Sequence, residues 1–226
     1  MTVVTLDRPP ANAMDVELLG DLVGAVEAVA QQAPRAVVLA GRPGFFSAGA
    51  DLKAVPGYGA DDQRRMVEGI NRMVLGVYGL PCPVVCAITG HAIAGGFVLA
   101  VCGDHRVASV EGRYGLTEVK VSVPYPQAAI GVVRAELAAP AARLLVLGNR
   151  LVDAGECVRL GAFDEAVAPD AVLDRSVAVA RELAALPADV YARTKAELRS
   201  ATLASMRAAA ADDPLLETWV PSSSPE

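Results

Sequence analysis

The sequence predicts an α/β fold with a helical C-terminal part. Three observations carry this: short β-rich runs end at Gly and Pro clusters in the first half, apolar residues at helical spacing lie between them, and beyond Gln127 helical patterns dominate. Val3 to Leu6 reads as a strand closed by Arg8-Pro9-Pro10. Leu18, Leu22, Val26 and Val29 then recur at helical spacing, with Asp15 and Glu17 suited to a helix N-terminus, so a helix is expected from about Asp15 to Ala30. Ala36 to Ala40 is a second strand, stopped by Gly41-Arg42-Pro43-Gly44.

No formal charge occurs between Arg72 and Asp104, and Val84 to Gly103 is apolar enough to nominate a membrane span. Thr89-Gly90 and Gly95-Gly96 break that run, and no Lys/Arg cluster flanks it, so a buried strand, a glycine-rich turn and a buried helix are expected instead. His105 to Ser109 is a third strand. Helices are expected over roughly Gln127 to Leu137, Ala141 to Leu147, Asp153 to Leu160, Ala171 to Leu186 and Asp189 to Ala210, with a mobile tail from Pro221 to Glu226.

Composition narrows the function. Of 226 residues, 20 are Lys or Arg and 26 are Asp or Glu, a net charge of −6 that argues against neutralising a phosphate backbone. Aromatics at 4% are too few to stack bases along a single strand. Cys82, Cys86, Cys102 and Cys157 form no CxxC pair and no ligand cluster with His91 or His105, so neither a disulfide framework nor a metal site is expected. MTVVTLDRPP has no leader character, and a reducing cytoplasm is the expected compartment.

Three stretches could carry chemistry. In Gly90 to Phe97, paired glycines at a helix start would point N–H groups at an anion or oxyanion, or simply let helix and strand approach closely. A phosphate loop fails, because Phe97-Val98 stands where Lys and Ser/Thr are needed. Phe45 to Lys53 places small residues directly after a strand and alone reads as a loop. Glu118 sits among apolar residues, where desolvation would raise its pKa toward the range of a useful base, although an exposed loop glutamate is the plainer reading.

Together these stretches resemble the crotonase superfamily, the enoyl-CoA hydratase/isomerase group, over about Val3 to Leu198. The matching pieces are Thr5-Leu-Asp-Arg-Pro9 with Asn12-Ala-Met14, Phe46-Ser-Ala-Gly-Ala-Asp-Leu52, Ala87-Ile-Thr-Gly90 through Ala94-Gly-Gly96 to Gly103-Asp104, Tyr114-Gly-Leu-Thr-Glu118, and Gly148 to Ala154 through Leu160 to Pro169. The resemblance implies a spiral of ββα units forming an acyl-CoA-binding core (1–168), followed by a C-terminal helical region (169–226) that packs subunits into trimers or hexamers. Val172, Val177, Val179, Leu183, Leu186 and Leu198 offer apolar surface for such association.

By the same resemblance, the N–H groups of Ala50 and Gly95 would polarise a thioester oxygen and Glu118 would move the proton. Ala48 would meet the adenine of CoA through its carbonyl, and Asp51, Leu52, Gly96, Phe97, Val98, Val123 and Tyr125 are the other expected substrate contacts. Asp51 and Asp104 match family positions, but capping explains them equally well. Lys53 could approach a CoA phosphate or simply be solvated. No metal or redox cofactor is implied, since CoA is part of the substrate. The family's hydratases carry a second glutamate three residues after the glycine donor, where this chain has Val98. A single carboxylate suits the Δ3,Δ2-enoyl-CoA isomerases best. A hydratase, another enolate reaction, or a non-catalytic acyl-CoA-binding protein are the alternatives.

Overall fold

A computed structural model describes residues 1–219. Strand β1 (Thr2–Thr5) leads to helix α1 (Val16–Gln32), whose N-terminus is capped by the Asp15 carboxylate accepting from the Leu18 N–H at 2.8 Å. Three passages of strand, strand and helix follow. They are β2 (Val37–Ala40), β3 (Gly44–Ser47) and α2 (Ala60–Tyr78); β4 (Val84–Ile88), β5 (Gly90–Ile93) and α3 (Gly95–Val101); and β6 (His105–Ser109), β7 (Tyr114–Gly115) and α4 (Gln127–Glu136). Helix α5 (Ala139–Ala142) runs into a π-helical turn at Arg143–Leu147, and α6 (Ala154–Arg159), strand β8 (Glu165–Val167), α7 (Val172–Ala184) and α8 (Ala188–Ala211) complete the described elements with a final 3-10 turn at Pro214–Leu216.

The first strand of each passage joins a parallel sheet of order β1-β2-β4-β6-β8, and the second joins a smaller parallel sheet of order β3-β5-β7. This repeated step is the expected spiral of ββα units. Strands β2 and β4 are buried along their whole length, as parallel strands covered on both faces must be. Val37, Leu39, Val84 and Cys86 face the main core with α1 and α2. Val38, Ala40, Val85, Ala87 and Val107 face α7 through Val172, Val179 and Ala180.

The apolar run from Val84 to Gly103 divides into β4, β5 and α3, and among the described residues no helix is long and apolar enough to cross a membrane. Helix α2 and strands β3, β5, β7 and β8 are additions to the sequence reading. The signal for α2 is nonetheless present, since Met66, Ile70, Met73, Val74 and Val77 make one buried stripe at helical spacing. Strands β3 and β5 run only four residues each, too short for a periodicity to declare itself.

Asp104 fastens α8 to the core. Its carboxylate accepts from the Val84 N–H at 2.7 Å and the Lys195 ammonium at 2.6 Å, and pairs with the Arg199 guanidinium at 3.0 Å. Arg199 also stacks 3.8 Å above the centre of the Tyr78 ring. Val172 and Val179 are buried inside the chain, whereas Leu186 and Leu198 are 45% and 81% exposed. The tail from Pro221 to Glu226 lies outside the described residues.

Candidate active site

The first wall of the site is the loop after β3. Ser47, fully buried, donates its hydroxyl to the Asn12 carbonyl at 2.7 Å and accepts the Gly49 N–H at 3.1 Å. Met14 then clamps the loop, its N–H donating to the Gly49 carbonyl at 2.7 Å and its carbonyl accepting the Asp51 N–H at 2.8 Å. Ala50 lies between those two bonds, and its own N–H has no acceptor among the described residues. Gly49 holds a φ of +80°, and a Cβ there would come within 2.9 Å of both the Gly95 nitrogen and the Ala94 side chain. Only glycine lets the two loops meet.

The second wall is the turn from β5 into α3. Ala94, with a φ of +51°, occupies the left-handed region that a side chain resists, a local strain of the kind that collects at functional sites. It redirects the chain so that Gly95 opens α3, and the Gly95 N–H also lacks an acceptor among the described residues. A Cβ built on Gly95 would lie 3.9 Å from the Ala50 nitrogen, so the two unpaired donors are neighbours. Ala50 and Gly95 are half-buried, and two unpaired donors side by side at a cavity mark a place for an external acceptor.

Glu118 supplies the third wall, in the turn after β7. It is 6% exposed, and its Oε2 accepts the Tyr125 hydroxyl at 2.7 Å. The Glu118 carbonyl accepts the N–H groups of Val121 and Val123, which folds 118–123 into a tight turn. Burial pushes the Glu118 carboxyl up to about 7, against the opposing pull of the Tyr125 hydroxyl and the nearby N–H groups of Glu118 and Thr117. Burial thus moves this carboxyl into the range in which it can both take up and release a proton near neutrality. NMR titration of a 13C-labelled Glu118 carboxyl should give a midpoint near pH 7, and Tyr125→Phe should move it upward, because the lost hydrogen bond favours the ionised form. A midpoint near 4.5 in the parent would contradict the burial argument.

These walls enclose a cavity of about 60 Å³. Ala48, Ala50, Leu52, Gly95, Val98, Glu118, Val123 and Tyr125, all singled out from the sequence, line it. Three expected contacts do not. Asp51 turns to Arg8 at 3.1 Å and to the N–H groups of Lys53 and Ala54. Partial burial pushes the Asp51 carboxyl up, but the Lys53 N–H, Arg8 and the Ala54 N–H outweigh it and hold it below the usual carboxylate range. Gly96 is a packing contact, since a Cβ there would sit 2.2 Å from the Ser47 carbonyl oxygen. Phe97 points into the core, its ring 5.3 Å from that of Phe163.

Asp104 is engaged with α8 and does not line the cavity, and Lys53 is exposed. The lining residues that sequence reasoning missed include Met14, Ile70 and Trp219. Met14 had a signal in the Asn12-Ala-Met14 motif and Ile70 one in the α2 stripe. Trp219 had none, being brought in from the far end of the described chain.

Two adjacent unpaired amides facing a buried carboxylate across an apolar cavity form a site that can stabilise a developing oxyanion while a proton is moved. The sequence profile of the enoyl-CoA hydratase/isomerase family matches residues 1–223. The chain is 33% identical over 199 residues to a "Probable enoyl-CoA hydratase EchA17" of Mycobacterium tuberculosis, covering 87% of this chain and 76% of that one. Among solved structures, a probable enoyl-CoA hydratase EchA3 of the same organism superposes with a TM-score of 0.87 at 30% identity, over 95% of this chain and 93% of that one. The human mitochondrial Δ3-Δ2-enoyl-CoA isomerase superposes with a TM-score of 0.86 at 26% identity, over 96% and 86%. With the profile spanning nearly the whole chain and a curated relative 33% identical over most of both chains, the protein belongs to the enoyl-CoA hydratase/isomerase family.

Proposed function

We propose that this chain shifts the double bond of a 3-enoyl-CoA to the trans-2 position, using Glu118 as the single proton carrier. The observation that carries the reading is the composition of the cavity wall: among the described lining residues Glu118 is the one carboxylate, and Val98 occupies the other family position for an acid. The thioester oxygen accepts the N–H groups of Ala50 and Gly95. Glu118 removes the proton from C2, the electron pair moves into the carbonyl to give an enolate held by the two donors, and the protonated Glu118 returns the proton at C4 as the carbonyl reforms. Atoms and electrons balance within the substrate. CoA enters as part of that substrate, and the reaction as written calls on no metal or redox group.

The hydratase names of two relatives favour a second reading, addition of water to a trans-2-enoyl-CoA. That reaction is helped by one group to orient water and another to move the proton, and the Val98 side chain can do neither. Incubation with 3-hexenoyl-CoA and crotonyl-CoA in parallel, with products separated by chromatography and mass, distinguishes the two: isomer from the first and little hydrate from the second is the expected result. Efficient hydration of crotonyl-CoA would overturn it.

Val98→Glu gives a sharper comparison. Val98 is 1% exposed and one helical turn from Gly95, so a carboxylate there enters the cavity opposite Glu118 without altering the amide donors. In a variant shown by circular dichroism to be folded, the ratio of hydrated to isomerised product should rise. An unchanged ratio would remove Val98 from the choice between the reactions.

A further inference from the structure

Deepening the reading above, and resting on it, we propose that Trp219 is the inner end wall of the acyl pocket and restricts the enzyme to short acyl chains. The exposure of the lining residues gives the cavity a direction. Leu52 and Val121 are 47% and 39% exposed and mark its open side, whereas Ile70, Ala129 and Trp219, at most 6% exposed, belong with Met14, Val98 and Glu118 to its buried lining; of these, Trp219 offers the largest flat apolar face against which a chain could end. An acyl chain entering past the amide donors and Glu118 therefore runs toward the indole.

The indole is fixed there by contacts that have nothing to do with a ligand. Its Nε1–H donates to the Pro124 carbonyl at 3.0 Å, tying it to the segment that carries Glu118 and Tyr125, and its backbone N–H donates to the Gln63 side chain of α2 at 3.3 Å. Just upstream, Asp213 is 2% exposed and anchors the whole segment: its carboxylate accepts from the Asn71 side chain at 3.0 Å, from the Gln127 N–H at 2.8 Å and from the Leu215 N–H at 3.0 Å. A side chain so held cannot swing aside as an exposed loop residue would. A flat bicyclic ring then stops the growing end of a chain by contact, while a methylene placed before it still gains from burial.

The test is calorimetric titration of the full chain with saturated acyl-CoAs from butyryl to dodecanoyl, which reads binding without requiring turnover. In the parent, affinity should rise by about fourfold per methylene to a ceiling within the short chains and then level or fall. Trp219→Ala should carry the same rise several methylenes further, and Trp219→Phe, which keeps a flat ring but loses the bond to Pro124 and the volume of the second ring, should move the ceiling less than Trp219→Ala. Should Trp219→Ala unfold, Trp219→Leu read in the same way carries the comparison. Identical chain-length profiles in the parent and the shortened variants would overturn the assignment of Trp219, while leaving the acyl-CoA reading intact. Failure of every acyl-CoA to bind the parent would overturn that reading, and the end wall with it.

Discussion

Glu118→Gln should lower the isomerisation rate by about 10²–10⁴-fold while leaving acyl-CoA affinity within a few-fold of the parent. The amide is nearly the same shape, can still accept the Tyr125 hydroxyl, and cannot take up a proton from C2 at neutral pH. Folding does not confound the result. In the parent the Glu118 pKa is raised from 4.5 to about 7 on folding, so the ionised form is disfavoured in the native state and stability is lost as pH rises across that window. The neutral amide carries no such penalty, and the variant should melt no lower than the parent at pH 8. Stopped assays with 3-hexenoyl-CoA, beside a binding titration and a melting curve, check all three statements. A variant retaining more than about a tenth of the parent rate would take Glu118 out of the proton transfer.

Gly49→Ala should reduce turnover by about 10²–10³-fold through a different route, by separating the two donors. The new Cβ would lie 2.9 Å from the Gly95 nitrogen, the Ile93 carbonyl oxygen and the Ala94 Cβ, and the φ of +80° would itself be strained. Something must move, and what moves carries either the Ala50 or the Gly95 N–H. Overpacking of about 2 kcal/mol would lower the melting temperature by roughly 4–8 °C in a chain of this size. The Glu118 titration should be nearly unchanged, because burial of that carboxyl does not depend on this contact. A variant with turnover within threefold of the parent would show that the juxtaposition of the two amides is not what activates the thioester.

Much of this was legible in the residues. Helices α1 and α8 declare themselves by local periodicity, and α1 also by its cap Asp15, because each buries one face against a neighbour, whereas strand β6, covered on both faces, declares itself by following the buried helix. Ala50, Gly95 and Glu118 are placed by motif order and spacing, since a loop after a strand and a turn before a helix recur wherever those motifs do. Phe97 shows the limit of that logic. It lies between Gly96 and Val98 on a helix that turns about 100° per residue, so three neighbours face β3, the core and the cavity in succession. Adjacency in sequence says nothing about which is which. Trp219 lies beyond any local signal, because its place depends on Asp213 reaching Asn71 and Gln127, 142 and 86 residues away.

The large sheet has one property that bears on how the molecule is made. Its strand order, β1-β2-β4-β6-β8, rises steadily along the chain, so each strand pairs with one already synthesised and none waits for a partner yet to emerge. Parallel pairing is slow because a crossover must be closed first, and a half-built sheet leaves an edge open to other chains. A sheet that grows from one end toward the other keeps only one such edge advancing at a time, and suits folding unit by unit during translation. The reaction cavity follows a different schedule. Its donors and Glu118 are in hand by the third passage, but Trp219 follows α8 in the chain and can close the cavity only after that helix has been made and Asp213 has reached Asn71 and Gln127. A nascent chain thus has an ordered scaffold well before it has a sealed pocket.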